Sequence, residues 1–151
     1  MDQSLRELYQ EVILDHSRHP RHFGKLEHAT NTAQGYNPLC GDRVTVYLIV
    51  GNDARIADVK FEGKGCAISQ ASASLMTEMV VGRTVAEVEK LMGGFVELVK
   101  GENVVDLSDD DRERLDVMAG VSAFPMRVKC ATLAWHTMKS ALEGGATAKT
   151  E

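Results

Sequence analysis

Three cysteines and one aspartate are the residues of this chain with the clearest capacity for chemistry. Cys40 lies in Asn37-Pro38-Leu39-Cys40-Gly41-Asp42, Cys66 closes Gly63-Lys64-Gly65-Cys66, and Cys130 ends Arg127-Val128-Lys129-Cys130. The cysteines are odd in number, and the opening Met1-Asp2-Gln3-Ser4-Leu5-Arg6 has no basic region followed by an apolar run. Both features imply reduced thiols in a cytosol-like compartment, not a disulfide framework. Thiolates are nucleophiles and soft metal ligands. Three of them fall one short of a closed tetrahedral zinc site, so a histidine or carboxylate must complete it, and Asp42 is the nearest candidate. Taken singly, each cysteine could equally be a small buried hydrophobe, and Asp42 a turn residue bonding its own backbone. The ligand spacing matches no compact zinc finger.

The elements that must position these residues are legible from periodicity. Ser4 and Glu7 suggest a capping box for a first helix, with Leu5, Leu8, Tyr9, Val12 and Ile13 as its stripe and Pro20 beyond its end. Arg21 to Pro38 reads as a polar connector. Arg43 to Val50 alternates, Gly51-Asn52-Asp53 is a hairpin turn, and Ala57, Val59 and Phe61 alternate in a second strand. After Gly63-Lys64-Gly65 the period changes to that of a helix, Ala67 to Val81. Thr84 with Glu87 caps another helix, which Gly93-Gly94 interrupts. Ser108 and Asp111 start a further helix ending near Gly120, and Pro125 opens the last one. The expected class is α+β, a small antiparallel sheet packed against several helices. All three cysteines then fall at element ends. Helix starts at Cys66 and Cys130 favour thiolates, and Arg127 and Lys129 add positive charge.

The bounds agree with this reading. At 151 residues, one domain spanning 1–151 is expected, with 1–3 and 144–151 frayed. Such a chain can bury a core without a structural metal. A formal charge of −5 argues against nucleic acid and an anionic membrane surface as partners. No stretch approaches the roughly 20 apolar residues of a membrane span. His16, His19 and His22 could suggest a second metal site, but Pro20 breaks the helix that would align them, leaving a partner-facing or solvated connector. Asp109-Asp110-Asp111 suits a helix start.

Cys40-Gly41-Asp42, Gly63-Lys64-Gly65-Cys66-Ala67-Ile68-Ser69 and Arg127-Val128-Lys129-Cys130-Ala131 together resemble the U-type iron–sulfur assembly family, whose branches are IscU, SufU and the N-terminal part of NifU. Leu8-Tyr9, Ile13-Leu14-Asp15-His16 and Ser69-Gln70-Ala71-Ser72-Ala73-Ser74 extend the likeness from Leu5 to Leu142. Scaffold-type members carry histidine immediately before the last cysteine, where this chain has Lys129. They also lack a segment of about twenty residues found here around Glu97 to Met118. Both departures resemble the SufU branch, and an ammonium has no lone pair for iron. The resemblance implies a SufE/IscU-like fold and zinc held by Cys40, Asp42, Cys66 and Cys130. It implies a sulfurtransferase-like role, not a stand-alone enzyme, that receives persulfide sulfur from a SufS-like pyridoxal-phosphate cysteine desulfurase for downstream iron–sulfur assembly proteins. Cys40 is the favoured acceptor, with Cys130 a contender. Arg127 would orient the site or pair with Asp42. The alternatives are a scaffold for a transient [2Fe–2S] cluster and a structural or regulatory zinc module.

Overall fold

In the computed structural model, which describes residues 3–149, ten elements follow one another. They are α1 (Gln3–Arg18), β1 (Asn31–Asn37), β2 (Asp42–Val50), β3 (Ile56–Lys64), α2 (Ala67–Val80), α3 (Val85–Val99), α4 (Asp109–Leu115), a 3-10 helix (Asp116–Ala123), α5 (Pro125–Leu142) and β4 (Thr147–Lys149). The strands lie in the order β3-β2-β1-β4, antiparallel except for β4, which runs parallel to β1. The class is therefore α+β as expected, with one parallel pair at the edge of the sheet. None of the described helices is long and apolar enough to cross a membrane.

The core lies between one sheet face and the helices. Val46, Leu48, Val59 and Phe61 point from the strands into a cluster with Met76 and Met79 of α2, Phe95 of α3 and Leu133, Trp135 and Met138 of α5. Trp135 stacks on Phe95 with ring centroids 4.5 Å apart. Its Nε1 donates to Ser72 Oγ at 3.0 Å, and that hydroxyl donates to the Ala131 carbonyl. A buried indole N–H needs such a partner, and here the partner ties α2 directly to α5. These are the two helices that carry Cys66 and Cys130.

Several expectations are corrected by packing. The connector contains β1, hidden from pattern reading because Asn31–Asn37 is small or polar apart from Tyr36, which faces outward. Its inward positions are Ala33, Gly35 and Asn37, and a Cβ at Gly35 would overlap the Thr137 hydroxyl of α5. Small residues are what allow α5 to lie close on the sheet. Of the three histidines, His19 and His22 are exposed as expected, whereas His16 is buried on α1. His16 Nδ1 is 2.7 Å from Ser74 Oγ, and His22 Nδ1 is 3.0 Å from Thr77 Oγ1, so they fasten α1 and the connector to α2. The tail expected to fray forms β4, where Gln34 N–H donates to Ala146 O and Ser140 Oγ to Thr147 O. Gln3 belongs to α1, so Ser4 sits inside that helix and does not cap it. Residues 1–2 and 150–151, also expected to fray, lie outside the described residues.

Gly93-Gly94 does not interrupt α3. Gly94 makes room for the returning chain, since a Cβ there would meet Leu107. The inserted segment continues from α4 as a 3-10 helix because its apolar residues, Leu115, Met118 and Val121, recur every three positions and are all buried. A helix of three residues per turn places such a row on one side. The segment is fastened by Arg83, whose two terminal nitrogens donate to the Asp111 carboxylate at 2.7 and 3.0 Å.

That pair holds the Asp111 carboxyl below its ordinary value, chiefly through the hydrogen bond from Arg83. A carboxylate with a lowered folded-state pKa stabilises above its unfolded value, and the contribution is lost as pH falls through the folded one. Asp111→Asn is therefore expected to cost about 1.5–3 kcal/mol in urea unfolding at neutral pH. The gap to wild type should shrink as pH falls below about 4, where the unfolded aspartate takes up its proton.

Candidate metal centre

The four candidate ligands are carried at one end of the sheet, and three of them, Cys40, Asp42 and Cys130, converge. The β1–β2 turn carries Cys40, and Asp42 is the first residue of β2. The pairs Asn37↔Asp42 and Arg43↔Lys64 place the start of β2 between the end of β1 and the end of β3. Cys66 follows β3 directly as the N-cap of α2. Cys130 lies in the second turn of α5, whose start is set by Pro125. The turn between β1 and β2 is closed by Gly41 N–H donating to Asn37 O at 2.9 Å and Leu39 N–H to Asn37 Oδ1 at 3.2 Å. Gly41 takes φ +71°, a left-handed conformation in which glycine avoids the usual Cβ strain.

Side-chain geometry then brings the donors together. Cys40 and Cys130 Sγ are 3.4 Å apart, and Cys66 Sγ is 3.8 Å from Asp42 Oδ2. The ligand atoms of Cys40, Asp42 and Cys130 all lie within 4.8 Å of one another, the one such group of three or more among the described residues. The histidines of the connector and the Asp109–Asp111 cluster form none. A tetrahedral zinc with bonds of about 2.3 Å to sulfur places its sulfurs roughly 3.8 Å apart. The Cys40–Cys130 pair is near that spacing, whereas Cys66 lies outside the converging group and meets it through Asp42.

Each donor is held differently. Asp42 is buried, and its Oδ1 accepts the Cys66 backbone N–H at 3.0 Å. Cys66 Sγ accepts the Ser69 N–H at 3.4 Å, at the positive end of α2 where negative charge is favoured. Cys130 is buried, and the Asn37 side-chain amide donates to its sulfur at 3.9 Å. Cys40 is exposed and has the Cys130 sulfur as its polar contact. Burial pushes the Cys130 thiol far up from its ordinary pKa, helped by hydrogen bonding to Asp42 and Cys40 and by the Cys66 charge. Without a cation this corner rejects further negative charge; a bound cation reverses that preference.

Arg127 does not form the ion pair with Asp42 considered above. Its guanidinium lies 4.7 Å from the centre of the Phe124 ring on the exposed start of α5. Asn37 and Gly65 are site residues that spacing alone did not reveal. Asn37 reads in the sequence only as part of an Asn-Pro turn. A Cβ on Gly65 would press on the Asp42 carboxylate, so the glycine before the second cysteine is the one available signal.

A family model for the NifU-like N-terminal domain matches residues 8–144. An iron–sulfur cluster assembly scaffold protein IscU of Thermotoga maritima is 42% identical, over 90% of this chain and 93% of its own. The zinc-dependent sulfurtransferase SufU of Bacillus subtilis is 36% identical, over 94% of this chain and 96% of its own. A crystal structure from Fervidobacterium islandicum AW-1, of a protein assigned to iron–sulfur cluster assembly in the SUF system, superposes with a TM-score of 0.81 at 37% identity. It covers 91% of this chain and 98% of its own. The N-terminal part of a NifU-like protein from Brucella abortus shares the fold, with a TM-score of 0.80 at 23% identity over 93% of this chain and 95% of its own.

Asn37→Asp retains an acceptor for the turn but removes the donor to Cys130 and adds charge. It is expected to lower zinc affinity by about 10–100-fold in chelator competition. It should also lower the unfolding midpoint of the metal-free chain, since Asn37 is fully buried in a corner that rejects further negative charge. Unchanged affinity would remove Asn37 from the site.

Proposed function

The chain belongs to the family of NifU-like N-terminal domains, and on that premise we propose that it serves iron–sulfur cluster biogenesis as a zinc-bound acceptor of persulfide sulfur from a cysteine desulfurase. The observation that carries this reading is the inequality of the three thiols. Cys130 is buried while Cys40 and Cys66 are both exposed, but Cys66 caps α2 and accepts the Ser69 N–H, whereas Cys40 rides on a glycine-flanked turn. Two thiols suit anchoring and one suits attack.

Cys40, Asp42, Cys66 and Cys130 would hold the zinc. When bound, it supplies the positive charge that keeps the thiolates deprotonated at neutral pH. Cys40 sulfur attacks the outer sulfur of the donor's persulfide. A new S–S bond forms on Cys40, the donor's S–S bond breaks, and the donor cysteine leaves as a thiolate with the electron pair. The oxidation level of the persulfide passes across unchanged, so no further oxidant is needed. Asp42 stays fixed by the Cys66 N–H, and Arg127, one helical turn before Cys130, offers a charge that orients the incoming anionic sulfur. The chain is then sulfurtransferase-like, acting with a SufS-like desulfurase and handing sulfur to downstream assembly proteins.

A second reading, a scaffold for a [2Fe–2S] cluster as cargo, is favoured by relatives named as scaffolds, including the one from Thermotoga maritima and one from Streptococcus pyogenes at 38% identity over 96% of this chain and 89% of its own. Three cysteines and an aspartate permit it. Lys129, where a histidine would add a ligand, supports the sulfur-acceptor reading instead.

Cys40→Ser should separate these readings. A folded variant that stimulates the desulfurase about 100-fold less than wild type is expected, as when an attacking atom is removed. Unfolding of that variant would indicate a structural zinc module. Iron and acid-labile sulfide bound at stoichiometric level, and passed to an apo-acceptor, would establish the scaffold.

A further inference from the structure

Beside the site runs a groove of about 750 Å³ between α1, the 3-10 helix and the start of α5. Its lining includes apolar Ile13, Ile68 and Val121, together with Tyr9, Arg6 and Arg127. Leu14 and Phe124, which also line it, are 41% and 51% exposed, so the groove presents uncovered apolar surface. The chain carries a net charge of −5, yet no carboxylate lines this groove. Asp116 and Glu113 help to raise the Tyr9 pKa but lie outside the lining. Neither Arg6 nor Arg127 makes an ion pair among the described residues. The groove includes none of the candidate ligands but approaches them along α2 and α5: Ile68 is two residues beyond Cys66, and Arg127 is three residues before Cys130.

We propose that this groove seats a segment of the sulfur-donating protein in which an apolar side chain lies next to a carboxylate. The proposal rests on the sulfur-acceptor reading. An apolar side chain would cover Ile13, Leu14 and Phe124. A carboxylate would meet the two guanidiniums, whose fork of donors matches its two oxygens. The donor is the occupant because Arg127, at the groove's end, lies about one helical turn before Cys130 on α5, so a segment seated there sets where its own persulfide approaches the thiols. An acidic chain repels other acidic surfaces elsewhere, which leaves this corner to steer the encounter.

The test uses the full zinc-loaded chain with Arg6→Glu and Leu14→Asp, neither of which is a metal ligand. Calorimetry gives affinity for the desulfurase at low and high salt, and sulfur uptake is followed from the desulfurase and from a low-molecular-weight persulfide. Each variant should weaken desulfurase binding by about tenfold or more, and Arg6→Glu should flatten its salt dependence. Zinc content and uptake from the small persulfide should match wild type. Unchanged desulfurase affinity overturns the proposal. So does an equal loss with the small persulfide, which would mean that the site itself is disturbed. A change in self-association by sedimentation would make a second copy the occupant and also overturn it. If wild type takes sulfur from the small persulfide but none from the desulfurase, the acceptor reading fails on its own evidence, and the groove has no sulfur donor to seat.

Discussion

Mutual repulsion among anionic donors is the constraint on which this structure turns. Two unit charges near 4 Å interact by about 4 kcal/mol at an effective dielectric constant of 20, and Cys40 and Cys130 sulfurs stand at 3.4 Å. With a carboxylate and a third thiol alongside, the corner resists ionisation: burial first, then hydrogen bonding to Asp42 and Cys40 and the nearby charges, push the Cys130 thiol up. A divalent cation converts the same crowding into attraction. The fold's task is to hold the donors near one another in readiness for that charge. It does so by placing them on separate elements, each tied to the core by its own interactions.

Those interactions give the donors unequal freedom. The indole of Trp135, the Ser72 hydroxyl and the Ala131 carbonyl lock α2 to α5, which fixes Cys66 relative to Cys130. Asp42 is held between β-ladder pairs and the Cys66 N–H. Cys40 alone rides on a turn outside the ladders, close enough to join the site and exposed enough to leave it. The sulfur chemistry proposed here depends on that difference more than on the ligand set, which a purely structural metal module would share. The inserted segment is joined to the same frame. Its buried row of Leu115, Met118 and Val121 and the Arg83–Asp111 pair set it against α3, and its outer side forms a wall of the apolar groove.

Much of this was readable beforehand. The β2–β3 hairpin, the helices from Ala67 and Pro125 and the capping box at Thr84 follow from local periodicity and capping chemistry, which depend on near neighbours in the chain. The strands β1 and β4 were not readable, because their residues apart from Tyr36 are small or polar and their strand character comes from partners far away in sequence. His16 looked like a solvated connector residue until Ser74 of α2 appeared opposite it, while His22 stays exposed and meets Thr77. Gly94 looked like a break in a helix and is instead a contact surface for Leu107.

The same division holds at the site. The sequence by itself determined which donors exist, their order, their placement at element ends and the aspartate two residues after the first of them, because residue identity and local turn chemistry settle those matters. Only the tertiary structure decided that Cys130 is buried and Cys40 exposed, and that Asn37 serves both the turn and a thiol. It also decided that Arg127 stacks on Phe124 without pairing to Asp42, and that a basic apolar groove adjoins the centre. Burial, sulfur–sulfur distance and the neighbours of a charge arise from contacts between segments far apart in the chain, and no local pattern encodes them.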